Sequence, residues 1–357
     1  MSDRDLALVV PGDPDQPTGG YRYDARIAAG LRRRGWRVDV IGLDGRFPDP
    51  DARARTALDD ALADRPEGAL VVVDGLALGG LPDVAARHAD RLGLVALVHH
   101  PLADETGLSE RQRERFEALE TRALAACRRI VTTSPFTARR VARMGVDAAR
   151  IHVVEPGTDP APAATDPARA ARSGRQRLLC VGSLVPRKGQ DLLIEALAPL
   201  ADRDWRLDLV GDDERHRDYA RRLRKRVAAH GLAGRVRFAG VRTTAGIDAD
   251  YRDADVLVLP SHYEGYGMVV TEALARGLPL IATDGGALAD TVPDACALRV
   301  PAGDADALRR ALARWLDEPS LRARRVERAL AARATLTDWQ LAADRFAGVL
   351  ADAGPPA

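Results

Sequence analysis

Short apolar runs rich in branched side chains alternate with Ala-, Arg- and Leu-rich stretches of helical character along the whole chain. Strands that alternate with helices build βαβ units, whose parallel sheets are covered by helices on both faces. The pattern therefore predicts an α/β fold with parallel sheets. The runs expected to form strands are residues 6–10, 37–41, 69–73, 94–98, 129–133, 151–154, 177–181, 206–210, 236–238, 255–259, 279–282 and 297–300.

The length of the chain, 357 residues, exceeds that of an ordinary single domain. A Pro- and Ala-rich stretch without periodicity begins at Thr158 and separates two halves of similar pattern. We therefore predict two Rossmann-like domains that face each other across a cleft, with ligands outside the carboxyl ends of the strands. The predicted segments are a first domain over residues 1–160, a linker over 161–174, a second domain over 175–336 and an amphipathic terminal helix over 337–352.

Charge and cysteine content argue against several functional classes. The formal net charge of +1 is too low for a dedicated nucleic-acid-binding protein, which would be clearly basic. Cys127, Cys180 and Cys296 lie far apart and form neither a zinc-ligand pattern nor a CxxC motif, so that buried thiols in a reducing cytosol are expected. No apolar stretch reaches membrane-spanning length, and the polar N-terminus argues against a signal peptide. We expect a soluble, cytoplasmic protein that makes at most peripheral contact with a membrane.

The segment from Glu264 to Glu272, EGYGMVVTE, is the most informative about function. It follows a predicted strand and leads into a helical pattern, so that free backbone N–H groups and the positive end of a helix would face a bound anion. Glu264 would lie at the rim of the loop and hold a sugar hydroxyl, and Glu272 would lie inside the helix and hold a ribose. Either acid could instead be an ordinary surface residue. The residues expected to act through the backbone are Gly265, Gly267, Met268 and Val269.

A second strand–turn–helix sequence, residues 178–189, places Ser183 in the turn and Arg187 and Lys188 before a helix that opens at Gly189. Cations at a helix N-terminus oppose the helix dipole, so their presence needs another reason. A diphosphate supplies one, because arginine binds it through a bidentate fork and lysine as a point charge. The alternative is that both are solvated charges. In this order and spacing, the two segments predict a sugar-nucleotide site.

The first half of the chain carries two further candidates. Gly19-Gly20 precedes a helical pattern and lets backbone approach a phosphate or sugar, although it is not the GxGxxG of NAD-binding proteins and could be a plain turn. His99 and His100 end a predicted strand, at the position where α/β proteins bind ligands. Counting from the strand favours His99 as the ligand contact, and His100 or a purely structural role is the alternative.

No set of Asp, Glu or His residues has a spacing suited to a metal ion. Asp212-Asp213 lacks the DxD spacing of metal-dependent transferases and is expected to cap a helix. The basic cluster over residues 221–226 is expected to be a solvated helix face. We therefore expect neither a metal ion nor another cofactor.

Together, these segments resemble the retaining GT-B glycosyltransferases of family 4, whose hallmark is E-x7-E preceded by an R-K-G-type loop. The resemblance covers essentially the whole chain and is strongest over residues 175–300. It implies transfer of a hexose-type sugar from a nucleoside-diphosphate sugar to an acceptor that the sequence does not identify, without a metal ion. Uridine is expected as the base ahead of guanosine or adenosine.

The resemblance also implies roles for individual residues. Arg187 and Lys188 would stabilise the departing diphosphate, and the Gly19-Gly20 loop would adjoin the donor phosphate and the acceptor. His99 would contact the transferred sugar, and backbone near Val241 would frame the base. The terminal helix would pack back on the first domain.

Two other functions are compatible with the same segments. One is a sugar-nucleotide epimerase or hydrolase, which would turn over its donor without an acceptor. The other is a non-catalytic nucleotide-sugar-binding protein. The intact set of Arg187, Lys188, Glu264 and Glu272 argues against a pure binding protein, which has no need to stabilise a leaving group.

Overall fold

A computed structural model describes residues 4–16, 18–172 and 174–353, with the Arg169 side chain left out. Residues 1–3 and 17 of the predicted first domain and Ser173 of the predicted linker lie outside the described residues. The chain divides into two compact units. The first comprises the residues up to Gly157 together with those from Thr337 onward, and the second is Thr158–Leu336.

The first unit is a six-stranded parallel sheet in the order β2-β1-β3-β4-β5-β6. Val71, Val73, Leu94 and Ala96 at its centre are fully buried beneath the flanking helices. Its strands are β1 (Asp5–Pro11), β2 (Arg37–Leu43), β3 (Leu70–Asp74), β4 (Gly93–Val98), β5 (Arg129–Thr132) and β6 (Ile151–Val153). Its helices are α1 (Gly19–Arg33), α2 (Ala52–Ala63), α3 (Gly75–Leu78), α4 (Pro82–His88), α5 (Glu110–Ala125) and α6 (Pro135–Arg143).

The second unit is also a six-stranded parallel sheet, in the order β12-β11-β10-β7-β8-β9. Its strands are β7 (Gln176–Val181), β8 (Trp205–Val210), β9 (Val236–Gly240), β10 (Val256–Leu259), β11 (Leu280–Thr283) and β12 (Ala297–Val300). Its helices are α7 (Pro167–Ala170), α8 (Gln190–Leu197), α9 (Arg217–Ala229), α10 (Thr244–Asp253), α11 (Met268–Ala275), α12 (Leu288–Thr291), α13 (Ala305–Asp317) and α14 (Pro319–Ala332). The predicted α/β class and its strands are confirmed, with strand ends shifted by one or two residues.

The last helix, α15 (Trp339–Ala351), packs on α1 within the first unit. Asp338 caps it by accepting a hydrogen bond from the Leu341 amide at 2.8 Å. Close approach to α1 requires Gly30, since a Cβ there would lie 2.4 Å from that of Ala343. Arg34 closes the contact with an ion pair to Asp344 at 2.5 Å.

The Pro- and Ala-rich stretch after Thr158 is hydrogen-bonded to the second unit. The Ala164 amide donates to the Arg276 carbonyl at 2.8 Å, and Arg333 donates to the Ala161 carbonyl at 2.7 Å. The buried Arg322 donates to the carbonyls of Ala170 and Arg172. These bonds hold the stretch against the unit that follows it. Within the described part of the chain, no helix combines the length and apolar character needed to cross a membrane.

Candidate active site

The strand order of the second unit reverses at β7, which has β8 on one side and β10 on the other. In open α/β sheets, ligands bind outside the carboxyl ends of the strands at such a point. The loop after β7 carries Arg187 and Lys188 in a single 3₁₀ turn, and α8 begins one residue later than predicted, at Gln190. Gly189 separates the two in the left-handed conformation, with φ of 65°. This conformation turns the two cations toward the loop after β10.

Arg187 and Lys188 meet Glu264 at this point. Lys188 Nζ donates to Glu264 Oε1 at 2.6 Å, and an Arg187 guanidinium nitrogen lies 3.4 Å from Oε2. Ser261 donates its hydroxyl to Oε1 at 2.7 Å. The Glu264 side chain is only 6% exposed, so the prediction that it lies at the rim of the loop is wrong. The two neighbouring cations draw the carboxylate inward.

Electrostatics keep Glu264 ionised despite its burial. Burial alone raises the pKa of a carboxyl group, but Lys188 and Arg187 outweigh it and lower the pKa of Glu264 to about 2. The site therefore contains two cations and one permanent anion in a poorly hydrated setting. Such an arrangement can compensate added negative charge without rearrangement of its own groups.

A glycine pair missed by the sequence reasoning fixes the backbone of Glu264. Gly285 and Gly286 follow β11, and the Glu264 amide donates to the Gly285 carbonyl at 3.2 Å. The Ala287 amide donates back to the Glu264 carbonyl at 2.8 Å. A Cβ at Gly286 would lie 2.5 Å from that carbonyl oxygen. The sequence does contain a signal, because Gly285-Gly286 lies between a predicted strand and the residues that follow it, as Gly19-Gly20 lies between a predicted strand and a helical pattern.

The composition carries a second missed signal. The chain has only two lysines within its 53 Lys and Arg residues, and one of them is Lys188. A lysine presents a compact point charge where arginine presents a planar fork, so a rare lysine next to Arg187 was a position to weigh. The observed geometry agrees, because the ammonium group reaches Glu264 with a side chain that is only 17% exposed.

Glu272 lies on α11, which begins after Gly267 in the left-handed conformation. Glu272 Oε2 accepts a hydrogen bond from the Tyr251 hydroxyl at 2.9 Å. The Arg276 guanidinium lies 4.6 Å from the centre of the Tyr251 ring. Glu272 is thus half-buried and oriented by Tyr251 of α10. Of the other predicted residues of this segment, Gly265 lies in the loop before α11, and Met268 and Val269 begin the helix; all three are half-buried.

The remaining candidates of the second unit lie at strand exits. Val241 directly follows β9 and is 57% exposed, which is unusual for a large apolar side chain. The Ser183 carbonyl accepts a hydrogen bond from Gln190 at 3.1 Å. Asp212 accepts amide hydrogen bonds within its own turn, and the cap of α9 is His216, so the predicted helix-cap role of the acidic pair is wrong.

The first unit brings His99 to the carboxyl edge of its sheet. His99 Nε2 lies 3.1 Å from Asp24 Oδ1 and 3.6 Å from Asp74 Oδ2. Gly20, in the first turn of α1, lies against the ring, where a Cβ would be 3.3 Å from Cδ2. Gly20 therefore makes room for the imidazole. His100 points elsewhere, with Nε2 3.6 Å from a Glu105 carboxylate oxygen.

The sequence predicts no metal site, because no Asp, Glu or His residues have a suitable spacing along the chain. That prediction does not consider residues that only the fold brings together. In the fold, ligand atoms of Asp24, Asp74 and His99 all lie within 4.8 Å of one another. The 3.1 Å separation of His99 Nε2 and Asp24 Oδ1 is that of a direct hydrogen bond. The three residues therefore form a compact cluster in which His99 is hydrogen-bonded to Asp24.

The architecture is that of the GT-B glycosyltransferases. Sucrose-phosphate synthase of Thermosynechococcus elongatus superposes with a TM-score of 0.81 over 98% of this chain and 98% of its own, at 24% identity. Anabaena HepE, solved in complex with UDP and glucose, superposes with a TM-score of 0.72 over 97% of this chain and 99% of its own, at 18% identity. At these identities the likeness establishes the fold.

Residues 17–162 match the family model described as Glycosyltransferase Family 4, and residues 164–331 match that described as Glycosyl transferases group 1. The chain belongs to this glycosyltransferase family, as the motifs predicted. A D-inositol 3-phosphate glycosyltransferase of Salinispora tropica is 34% identical over 218 residues, which are 56% of this chain and 45% of that relative. The chain spans about half the length of the relatives it matches.

Proposed function

We propose that the protein transfers a hexose-type sugar from a nucleoside-diphosphate sugar to an acceptor hydroxyl, with retention of configuration and without a metal ion. The observation that carries the proposal is the convergence of Arg187, Lys188 and Glu264 at the switch point of the second sheet. Family membership supports it. The UDP bound to Anabaena HepE favours uridine as the base.

In the proposed reaction, the bond between the anomeric carbon and the diphosphate oxygen breaks, and the acceptor oxygen bonds to the same face of that carbon. The acceptor proton passes to the leaving diphosphate. Arg187 and Lys188 compensate the charge that grows on that group, which favours the transition state over the bound substrate. Lys188 holds Glu264 Oε1 at 2.6 Å, whereas Oε2 lies 3.4 Å from Arg187. Oε2 would accept a hydrogen bond from a hydroxyl of the sugar.

The second unit would bind the nucleotide through its own residues. Glu272 would accept hydrogen bonds from the ribose, the start of α11 and Ser183 would contact phosphate through the backbone, and the exposed Val241 would cover one face of the base. The first unit would bind the acceptor near Gly19, Gly20 and His99. D-inositol 3-phosphate, named for the Salinispora relative, is the first acceptor to test.

A donor panel tests the proposal directly. Nucleoside diphosphates and their sugar conjugates should raise the melting temperature by mass action, and the base with the largest shift identifies the donor class. Transfer is then followed with that donor, and the anomeric configuration of the product is read by NMR. Rapid turnover without any acceptor would instead favour an epimerase or hydrolase. Binding without turnover in every acceptor mixture would favour a binding protein.

We predict that the two glutamates separate in their effects. Glu272→Ala should weaken binding of free UDP by about tenfold or more, the scale for losing hydrogen bonds to a charged group. Glu264→Gln should leave UDP affinity intact or increase it, because it removes an anion beside Arg187 and Lys188, while turnover falls. Calorimetric titration with UDP and a transfer assay measure the two effects. Equal weakening of UDP binding in both variants would refute the separate roles.

We also predict that activity survives chelation. Arg187 and Lys188 supply the positive charge that a divalent ion provides in other transferases. Transfer rates should therefore be unchanged after incubation with excess EDTA and after added Mg²⁺ or Mn²⁺. Loss of activity with EDTA that either ion restores would contradict this mechanism. A metal-dependent transferase assayed in the same buffers serves as the control.

A further inference from the structure

Two carboxylates converge on one ring nitrogen of His99 in the first unit. Asp24 comes from α1, Asp74 ends β3, and His99 follows β4, so three elements meet at the carboxyl edge of the sheet. Both aspartates are almost completely buried. Their oxygens lie 3.1 and 3.6 Å from His99 Nε2. Burial of two acids beside one imidazole is costly unless the ring carries a compensating charge.

Other contacts hold each member of the cluster in place. The other oxygen of Asp74, Oδ1, accepts a hydrogen bond from the Leu76 amide at 2.7 Å. The Tyr23 ring stands edge-on to the imidazole, with ring centres 5.4 Å apart, and its hydroxyl donates to the Val154 carbonyl. Within the described residues, the buried Asp24 Oδ2 has no hydrogen-bond partner. A buried carboxylate oxygen without a partner is costly, so its presence beside His99 calls for an explanation.

Only one of the two ring nitrogens of His99 faces the carboxylates. Nε2 faces the two carboxylates, and for Nδ1 the described residues provide no hydrogen-bond partner. The His99 side chain is 23% exposed, so a ligand can reach it. A histidine whose Nε2–H is fixed by acids and whose Nδ1 also carries a proton donates two hydrogen bonds and accepts none.

We propose that Asp24 and Asp74 are positioning residues that hold His99 as an imidazolium, so that Nδ1–H acts as a fixed cationic donor to an oxygen of the substrate bound by the first unit. The inference rests on the proposed function for the identity of that substrate. It gives His99 a role as electrostatic stabiliser and excludes it as a general base, since an imidazolium has no free lone pair to accept a proton.

The electrostatic surroundings agree with the geometry. Burial lowers the pKa of His99, but the charge and hydrogen bond of Asp24, together with Asp74, outweigh burial and raise the pKa to about 9. Burial raises the pKa of Asp74 to about 6 against the opposing effect of His99. Tyr23, the other titratable group against the ring, is neutral because burial raises its pKa well above its ordinary value. His100 and Glu105 pair with each other to one side.

Histidine titration by NMR tests the proposal on the intact 357-residue chain. With ring-labelled histidine, and His99→Gln to assign the signal, His99 should stay protonated up to about pH 9. Asp24→Asn should lower its midpoint by more than about one pH unit, since the variant keeps the shape and loses the charge. Asp59→Asn is the matched control, because Asp59 pairs with the buried His88 at 2.8 Å elsewhere in the unit. It should leave the His99 midpoint unchanged.

The pH dependence of kcat shows whether Asp24 positions a charged His99 or only supports the fold. If the midpoint in Asp24→Asn falls near the ordinary 6.5, only a few per cent of His99 is protonated at pH 8, so kcat should be about thirtyfold below wild type there and approach it at pH 6. KM for the nucleotide donor should change little. Loss of activity that is equal at both pH values would overturn the proposal, and so would a wild-type His99 midpoint at or below 6.5.

The outcomes distinguish this inference from the proposed function. If no donor and acceptor pair gives transfer, the proposed function fails, and the titration still decides whether Asp24 and Asp74 hold the imidazolium. If Asp24→Asn does not fold, Asp74→Asn takes its place, because asparagine can still accept the Leu76 amide. The wild-type titration decides in either case.

Discussion

Replacement of Lys188 by methionine will lower kcat at least about a hundredfold, or about 2.7–4 kcal/mol of transition-state stabilisation, the scale for one preorganised charge. Lys188 Nζ donates to Glu264 at 2.6 Å, so its charge is held in a fixed position within the site. Methionine keeps the length of the side chain and removes its charge. Steady-state transfer with the donor identified above measures the effect.

Lysine 225 provides the control for that experiment. It is the other lysine of the chain and lies exposed on α9, so Lys225→Met should leave kcat unchanged. Lys188→Arg should also lose most activity, because the longer planar guanidinium does not fit the space of an ammonium group beside Glu264. Near-wild-type rates in Lys188→Met would remove this residue from the catalytic machinery.

Gly189→Ala will abolish most activity and lower the free energy of unfolding by about 1–3 kcal/mol beyond the cost of the left-handed backbone itself. A Cβ at this position would lie 2.1 Å from the carbonyl oxygen of Pro260. Backbone must therefore move, and it is the backbone that brings the Arg187–Lys188 turn to the Glu264 loop. Urea unfolding and the transfer assay measure the two effects.

The variant Gly231→Ala separates the effect of the steric clash at Gly189 from the cost of the left-handed backbone. Gly231 has φ of 68°, close to the 65° of Gly189, but a Cβ there would meet nothing within 4 Å. The two variants therefore share the backbone cost and differ in the contact. Equal losses of stability, with activity retained in both, would contradict the tight packing between Gly189 and Pro260.

The sequence predicted the secondary structure well because buried parallel strands leave a local signature. Runs such as residues 94–98 are apolar throughout, and their positions follow from composition alone. The Glu264 segment and the Arg187–Lys188 turn were found for a similar reason, since each lies within a few residues of a strand end. The family resemblance that rested on these segments is confirmed.

Interactions between distant segments left no such signature. Asp24 and Asp74 reach His99 only because β3 pairs with β4 and α1 packs beside them, and no local pattern encodes that arrangement. The prediction that Glu264 lies at the rim of the loop is wrong for the same reason, because the residues that bury it are 76 and 77 positions away in the sequence. The Gly285–Gly286 contact likewise depends on the adjacency of β10 and β11.

The scarcity of lysine has a practical consequence for covalent labelling. Side-chain amines occur only at Lys188 and Lys225, and the first is engaged with Glu264 while the second is exposed on α9. Among the side-chain amines, dyes or surface-coupling reagents will therefore attach at Lys225 of the folded protein and leave the Lys188–Glu264 ion pair intact. Among side chains, coupling through an amine is thereby restricted to one surface position without the introduction of any new residue.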